Sequence, residues 1–219
     1  MSTVNNILKI GKSFFLGIFM ISFAIAFVIL FRPYYYLNIS ILNLEEETGY
    51  SYEVIKEAYD DVMDYLVFNS EFKTGQLRYS EEGKSHFEDC KKLFTFDFIC
   101  LFISSSYLIA MFVLQKLKKI NLEFKKLSPG IYAIIWVGCA FLILGVWGVI
   151  DFDSLFTVFH KVCFPGKDNW IFHPKYDQII NILPTELWMN FCILIVSIIL
   201  IFIVSFIAIE ITKRKAVKE

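Results

Sequence analysis

Four runs of predominantly apolar residues, at positions 13–31, 98–115, 130–150 and 187–209, limit what this chain can become. A helix needs roughly 20 such residues to cross about 30 Å of hydrocarbon, and each run is long enough. The chain is 57% hydrophobic, with 24 Phe, against the roughly 45–50% apolar content of soluble domains, so the bilayer is its solvent. The second run is the weakest, because Ser104, Ser105 and Ser106 fall at mid-depth and must bond back to the helix or to a neighbour. The first run, preceded by Lys9 and Lys12, has the outline of a signal peptide, but no small-residue cleavage motif follows it. Arg32-Pro33-Tyr34-Tyr35-Tyr36 follows instead, as an aromatic belt suits a retained anchor. The expected fold is all-α: a single membrane domain over residues 1–219, with four transmembrane helices and a cap formed by residues 33–93 and 151–186.

The charges orient these spans. Lys116, Lys118, Lys119, Lys125 and Lys126 outnumber Glu123 in the connection between spans two and three. The chain ends with Lys213, Arg214, Lys215 and Lys218. Both ends and that loop are therefore expected in the cytoplasm, and the cap on the outer side of the membrane. The acidic runs Glu45-Glu46-Glu47, Asp60-Asp61 and Glu81-Glu82 lie on the cap side, where Arg32, Lys91 and Lys92 weaken the bias without reversing it. Cys100, Cys139 and Cys192 fall in spans, so only Cys90 and Cys163 are placed to bridge, and nothing in the sequence requires that they do.

From Ser51, a possible N-cap, Val54, Ile55, Ala58, Tyr59, Val62, Met63, Tyr65 and Leu66 recur at helical spacing, giving an amphipathic helix with one dry face. A second cap helix is expected from Ser80, with Glu81 and Glu82 in its first turn, running through Lys92 towards span two. On it His86 and Asp89 stand at i and i+3, where the carboxylate can orient the imidazole; a solvated face with a chance His and Asp is the plainer alternative. Segment 152–186 holds Phe156, Phe159, His160, Phe164, Trp170, Phe172, His173 and Tyr176, broken by Pro165, Gly166, Pro174 and Pro184. Such a density of aromatics fits either an interfacial belt or an aromatic-walled pocket for a lipid head group or ester, with His160 or His173 as its titrating group.

All three histidines of the chain thus fall on the cap side. The familiar hydrolase and nucleotide motifs are absent: there is no GxSxG, P-loop, HExxH or CxxC. His160 and His173 have no histidine partner at i, i+4, so neither a metal site nor a cofactor is expected. Asn38-Ile39-Ser40 fits the N-glycosylation pattern, too short a motif to carry weight.

The run from His86 through Asp89 to Phe94, the run from Phe152 to His160, and Asn169-Trp170 followed by Pro174, Asp177 and Pro184 resemble the bacterial lipoprotein intramolecular transacylase family over nearly the whole chain. That resemblance implies a four-span enzyme with an extracytoplasmic cap. It moves the sn-2 acyl chain of a lipoprotein's diacylglyceryl group to the α-amino group of the lipid-bearing N-terminal cysteine, leaving a lyso-form lipoprotein. It also implies that His86 and His160 are the two catalytic histidines. His173 departs from the often acidic residue expected at its place, so no catalytic role is carried onto it.

Such a transfer needs no protein nucleophile, since the substrate's amine, of pKa about 8, attacks once a histidine of pKa about 6.5 takes its proton. His160 is assigned that task. His86, oriented by Asp89, supplies a proton or hydrogen bond to the oxyanion or the leaving glyceryl oxygen, and exchange of the two roles stays open. Asn169 and the Trp170 indole are expected oxyanion donors, and Phe156 and Phe159 are expected to wall the substrate site. The partners expected are diacylglyceryl lipoprotein and membrane lipid; nucleic acid is not, and the chain is expected to be a monomer. Two other readings compete: a non-enzymatic sensor or partner-binding cap with histidines as switches, and a small transporter, disfavoured by spans almost without ionisable residues at mid-depth.

Overall fold

A computed structural model of the protein describes residues 2–117 and 127–216; Lys118, Lys119, Glu123, Lys125, Lys126 and Lys218, used above for orientation, lie outside the described residues. Regular structure among the described residues is entirely helical. Four helices are long and apolar enough to cross a membrane: α1 (Ser2–Leu30), α5 (Glu81–Lys116), α6 (Pro129–Ile150) and α8 (Thr185–Ala216), whose candidate spans have mean hydropathies of 2.6, 2.0, 2.5 and 3.3. Shorter helices fill the rest: α2 (Arg32–Ile41), α3 (Leu44–Thr48), α4 (Tyr52–Phe68) and α7 (Phe152–Cys163), with a 3₁₀ turn at Gln178–Ile182. The chain divides into two compact units.

One unit takes Met1–Phe27, Asp97–Val146 and Leu194–Glu219, which carry most of the apolar runs. Met20, Ala24, Ala133, Ile134, Val137 and Ile199 form its buried centre, with Leu16, Trp136, Phe202 and Phe206 packed against it. Gly17 makes this packing possible, because a Cβ there would overlap the Trp136 indole. Phe102, Leu142, Ile201 and Val204 face outward, as side chains do whose solvent is lipid. Ser104, wholly buried, bonds back to the Leu101 carbonyl at 3.1 Å, the local satisfaction that a hydroxyl at mid-depth requires.

The other unit takes Val28–Phe96 and Trp147–Ile193 and holds the histidines. In α4 the expected dry face is realised: Ile55, Ala58, Tyr59, Val62, Met63 and Leu66 are buried. Ser51 occupies the N-cap position, but its side chain caps nothing. Of the three tyrosines expected as an interfacial belt, Tyr35 is instead part of the core. Pro33 falls in the first turn of α2, a place proline suits, and the helix carries Tyr35 into the core. There Tyr35 stacks on Tyr59 at 3.5 Å between centroids, and its hydroxyl donates to the Ile182 carbonyl at 2.9 Å. Asn190 Nδ2 donates to Asn38 Oδ1 at 2.6 Å, so the buried amide of Asn38 is paired as well. Arg32 sits between Asp60 and Asp64 of α4, which fixes α2 against that helix.

Candidate active site

Two helices of this second unit build the site. The first polar turns of α5, ahead of its apolar stretch, begin at Ser80, whose Oγ accepts from the Gly83 N–H at 3.0 Å, the N-cap that the sequence indicates. Ser80 in turn donates from N and Oγ to Asp177, at 2.7 Å each, which ties the start of α5 to the segment ahead of α8. Helix α7 is an element that the sequence analysis did not resolve. Asp151 caps it by accepting from Ser154 N at 2.9 Å, and Phe152, Phe156 and His160 follow one another on one face at intervals of four.

These helices bring His86 and His160 together, ring centroids 5.7 Å apart and both side chains buried, at 5% and 7% exposure. Aromatic rings surround the pair. Phe164 lies 4.9 Å from His86 and 5.8 Å from His160, Phe172 is 5.4 Å from His86, and Trp170 stacks on His160 at 4.9 Å. Phe156 and Phe159 flank His160 at 4.2 and 5.4 Å. His173 is elsewhere, on an open groove of about 750 Å³ with Arg78, Ser80, Tyr176 and Asp177; neither catalytic candidate lines that groove.

The hydrogen bonds settle one tautomer. His160 Nδ1 is 2.8 Å from the Phe156 carbonyl, an oxygen that only accepts, so the hydrogen sits on Nδ1 and Nε2 carries the lone pair. His86 Nε2 is 3.3 Å from Cys90 Sγ. Burial lowers the pKa of both rings; for His86, burial, with His160 next in weight, brings it to about 4 against a pull upward from Asp89. Both imidazoles are neutral at pH 7.

Asp89 has other partners than the expected imidazole. Its carboxylate accepts from Lys167 at 2.5 Å, Lys92 at 2.9 Å and Asn169 Nδ2 at 3.2 Å. These bonds hold it below the usual carboxylate range despite its burial. Asp89 thus pins the turn after α7 to α5 and acts on His86 only through space. The expected oxyanion donors are engaged too. The Trp170 indole donates to the Lys167 carbonyl at 2.9 Å, and the Asn169 amide nitrogen faces Asp89. Because a carboxylate only accepts, this contact also orients the amide and turns Asn169 Oδ1 away.

Three buried side-chain polar atoms among the described residues lack a hydrogen-bond partner, and two belong to this site: His86 Nδ1 and Asn169 Oδ1. Buried polar groups are almost always paired, so these two atoms stand out. Cys90 and Cys163 are free thiols, not a bridge.

Comparison with known proteins bears on the fold and the family. None of the curated proteins matches the chain. Among solved structures, the membrane-integral lipoprotein intramolecular transacylase Lit from Bacillus cereus matches with a TM-score of 0.88 and 22% identity, over 99% of this chain and 100% of that one. Two histidine variants of that protein, one to arginine and one to alanine, match with TM-scores of 0.81 and 0.79 at 21% and 20% identity. They cover 100% and 98% of this chain and 96% and 97% of their own. The fold is therefore shared. The family model for lipoprotein intramolecular transacylase Lit matches residues 10–188, most of the chain, which therefore belongs to this family of membrane enzymes that carry out intramolecular acyl transfer in lipoproteins.

Proposed function

We propose that the enzyme moves the sn-2 O-acyl chain of a diacylglyceryl lipoprotein to the α-amino group of its N-terminal cysteine, with His160 as the base and His86 as the donor to the oxyanion. The observation that carries this reading is the buried histidine pair, 5.7 Å between centroids and tilted by 33°, contributed by two different helices. Aromatic rings enclose both imidazoles, as a reaction that must exclude water requires. That a histidine is the residue replaced in two structures of the Bacillus cereus relative also supports the reading.

The proton inventory is simple. The neutral amine attacks the ester carbonyl and forms a C–N bond. His160 Nε2, the nitrogen with the lone pair, takes the proton that the amine loses, and the oxyanion is met by His86. When the C–O bond breaks, the proton passes from the His160 imidazolium to the leaving glyceryl oxygen. One proton has moved from nitrogen to oxygen, and an ester has become an amide and an alcohol. The low basicity that burial gives His160 helps the return step, since its imidazolium gives up a proton readily. Asn169 Oδ1, buried and unpaired, suits an N–H of the attacking amine, an acceptor role in place of the donor role that the sequence suggested.

Attack closes a ring of about eight atoms through the thioether, which forms slowly unless both ends are held. Enclosure by Phe156, Trp170 and Phe172 holds the reacting groups and keeps out the water that would hydrolyse the ester. The acyl chains stay in lipid, the histidine-bearing unit faces outward from the cytoplasmic membrane, both termini lie in the cytoplasm, and the protein works as a monomer without a cofactor. Purified protein is incubated with a diacylglyceryl lipopeptide bearing a free N-terminal cysteine, and the product is fragmented in the mass spectrometer. An unchanged mass with an acylated amine supports the reading. Loss of an acyl chain means a lipase, and a gain means a second lipid donor; either contradicts it.

A further inference from the structure

Cys90 has no part in the steps above, yet among the described residues it is the group within hydrogen-bond distance of the His86 ring, at 3.3 Å from Sγ to Nε2. It stands one helical turn after His86 on α5, with Asp89 beside it and Cys163 of α7 near enough to act on it electrostatically. Burial pushes the thiol up to about 12, so Cys90 keeps its hydrogen at neutral pH. Two neutral groups then share one contact. Sulfur is a weak acceptor and an imidazole lone pair a good one, so the favoured arrangement is S–H donating to Nε2. A neutral imidazole has one hydrogen, and if Nε2 accepts, that hydrogen is on Nδ1.

Nδ1 is the buried nitrogen that no protein group satisfies. His160 is set the other way round, its hydrogen on Nδ1 held by the Phe156 carbonyl and its lone pair on the free Nε2. The two rings thus offer the substrate one donor and one acceptor. We propose that Cys90 is a positioning residue for the acyl transfer: its thiol donates to His86 Nε2 and holds His86 in the tautomer whose free nitrogen carries the hydrogen that meets the oxyanion. This inference rests on the histidine mechanism proposed above.

With only three histidines in the chain, ¹⁵N-histidine labelling of the full-length protein in detergent gives a spectrum simple enough to assign with His86→Gln and His173→Gln. The expected wild-type result is a protonated Nδ1 and a bare Nε2 on His86. Cys90→Ala is expected to shift His86 towards the opposite tautomer and to lower kcat about three- to tenfold, as loss of one hydrogen bond does, with KM within about twofold. Cys90→Ser, which restores a donor, is expected to recover both. A wild-type His86 with its hydrogen on Nε2 would overturn the inference whether or not any variant folds. An inactive His86→Ala protein beside a fully active Cys90→Ala protein would overturn it alone, whereas an active His86→Ala protein would overturn the histidine mechanism and the inference with it.

Discussion

Trp170 lies over His160, its indole 4.9 Å from the imidazole and 30° from parallel, while its N–H is spent on the Lys167 carbonyl at 2.9 Å. The indole therefore acts through its face. An aromatic contact of this kind contributes about 0.5–1.5 kcal/mol beyond buried area, so Trp170→Ala should slow transfer by about two- to tenfold and let some ester hydrolyse. Trp170→Phe, which keeps a face but no N–H, should retain most of the rate. If Trp170→Phe were as impaired as Trp170→Ala, the indole N–H would be the working group after all. Product masses from the two variants decide it.

Asp89 joins three donors from two segments of chain, and its partners differ in weight. Removing the buried carboxylate in Asp89→Ala leaves Lys167 and Asn169 without their acceptor and should cost about 1–3 kcal/mol. Lys92, with its side chain 74% exposed, should contribute little, because solvent screens an exposed ion pair, so Lys92→Ala should melt almost as the wild type does. Thermal midpoints in one detergent compare the two directly.

Much of this was legible in the sequence, for physical reasons. Crossing a bilayer needs long apolar runs, and nothing shorter serves, so the four spans were visible. The helix of Tyr52–Phe68 was visible because one face is dry and the other acidic. Helix α7 was obscured by aromatics that continue past its end, to Trp170, Phe172 and Tyr176, although Asp151 ahead of Phe152 was a usable cap signal. The partners of Asp89 were out of reach: the i, i+3 spacing pointed to His86, but Lys167 and Asn169, 78 and 80 residues away, took the carboxylate. Local spacing places two side chains on one face, and the tertiary fold decides which of their neighbours they bond.

The depressed pKa of His86 also makes stability depend on pH. Its ring titrates at about 4 in the folded protein against 6.5 unfolded. Between those values the unfolded chain binds the extra proton, so stability falls as pH drops from about 6.5 to 4. Asp89, held low, adds its loss only below the ordinary carboxylate value of 3.8. The thermal midpoint should decline between pH 6.5 and 4 in the wild type, and less steeply in His86→Gln. Equal slopes would mean that the ring is not held neutral by burial.

Gly83 is a tight point of the site's support. A Cβ there would press on the Asp177 carboxyl and the Phe172 ring, the latter 5.4 Å from His86. Gly83→Ala should cost about 1–3 kcal/mol through overpacking and should disturb the Ser80–Asp177 contact, lowering both thermal midpoint and transfer rate. An unchanged midpoint would show that the segment yields freely.

The central claim is that His86 and His160 work as one unit on one substrate. The rate of amine acylation, followed by mass spectrometry under single-turnover conditions, is compared for wild type, His86→Gln, His160→Gln and the double variant. General acid–base groups contribute about 10²–10⁴-fold each, and residues that act together do not add. Each single variant should therefore lose at least about a hundredfold, and the double variant should be little worse than the poorer single one. A folded single variant that kept near wild-type transfer would contradict the account.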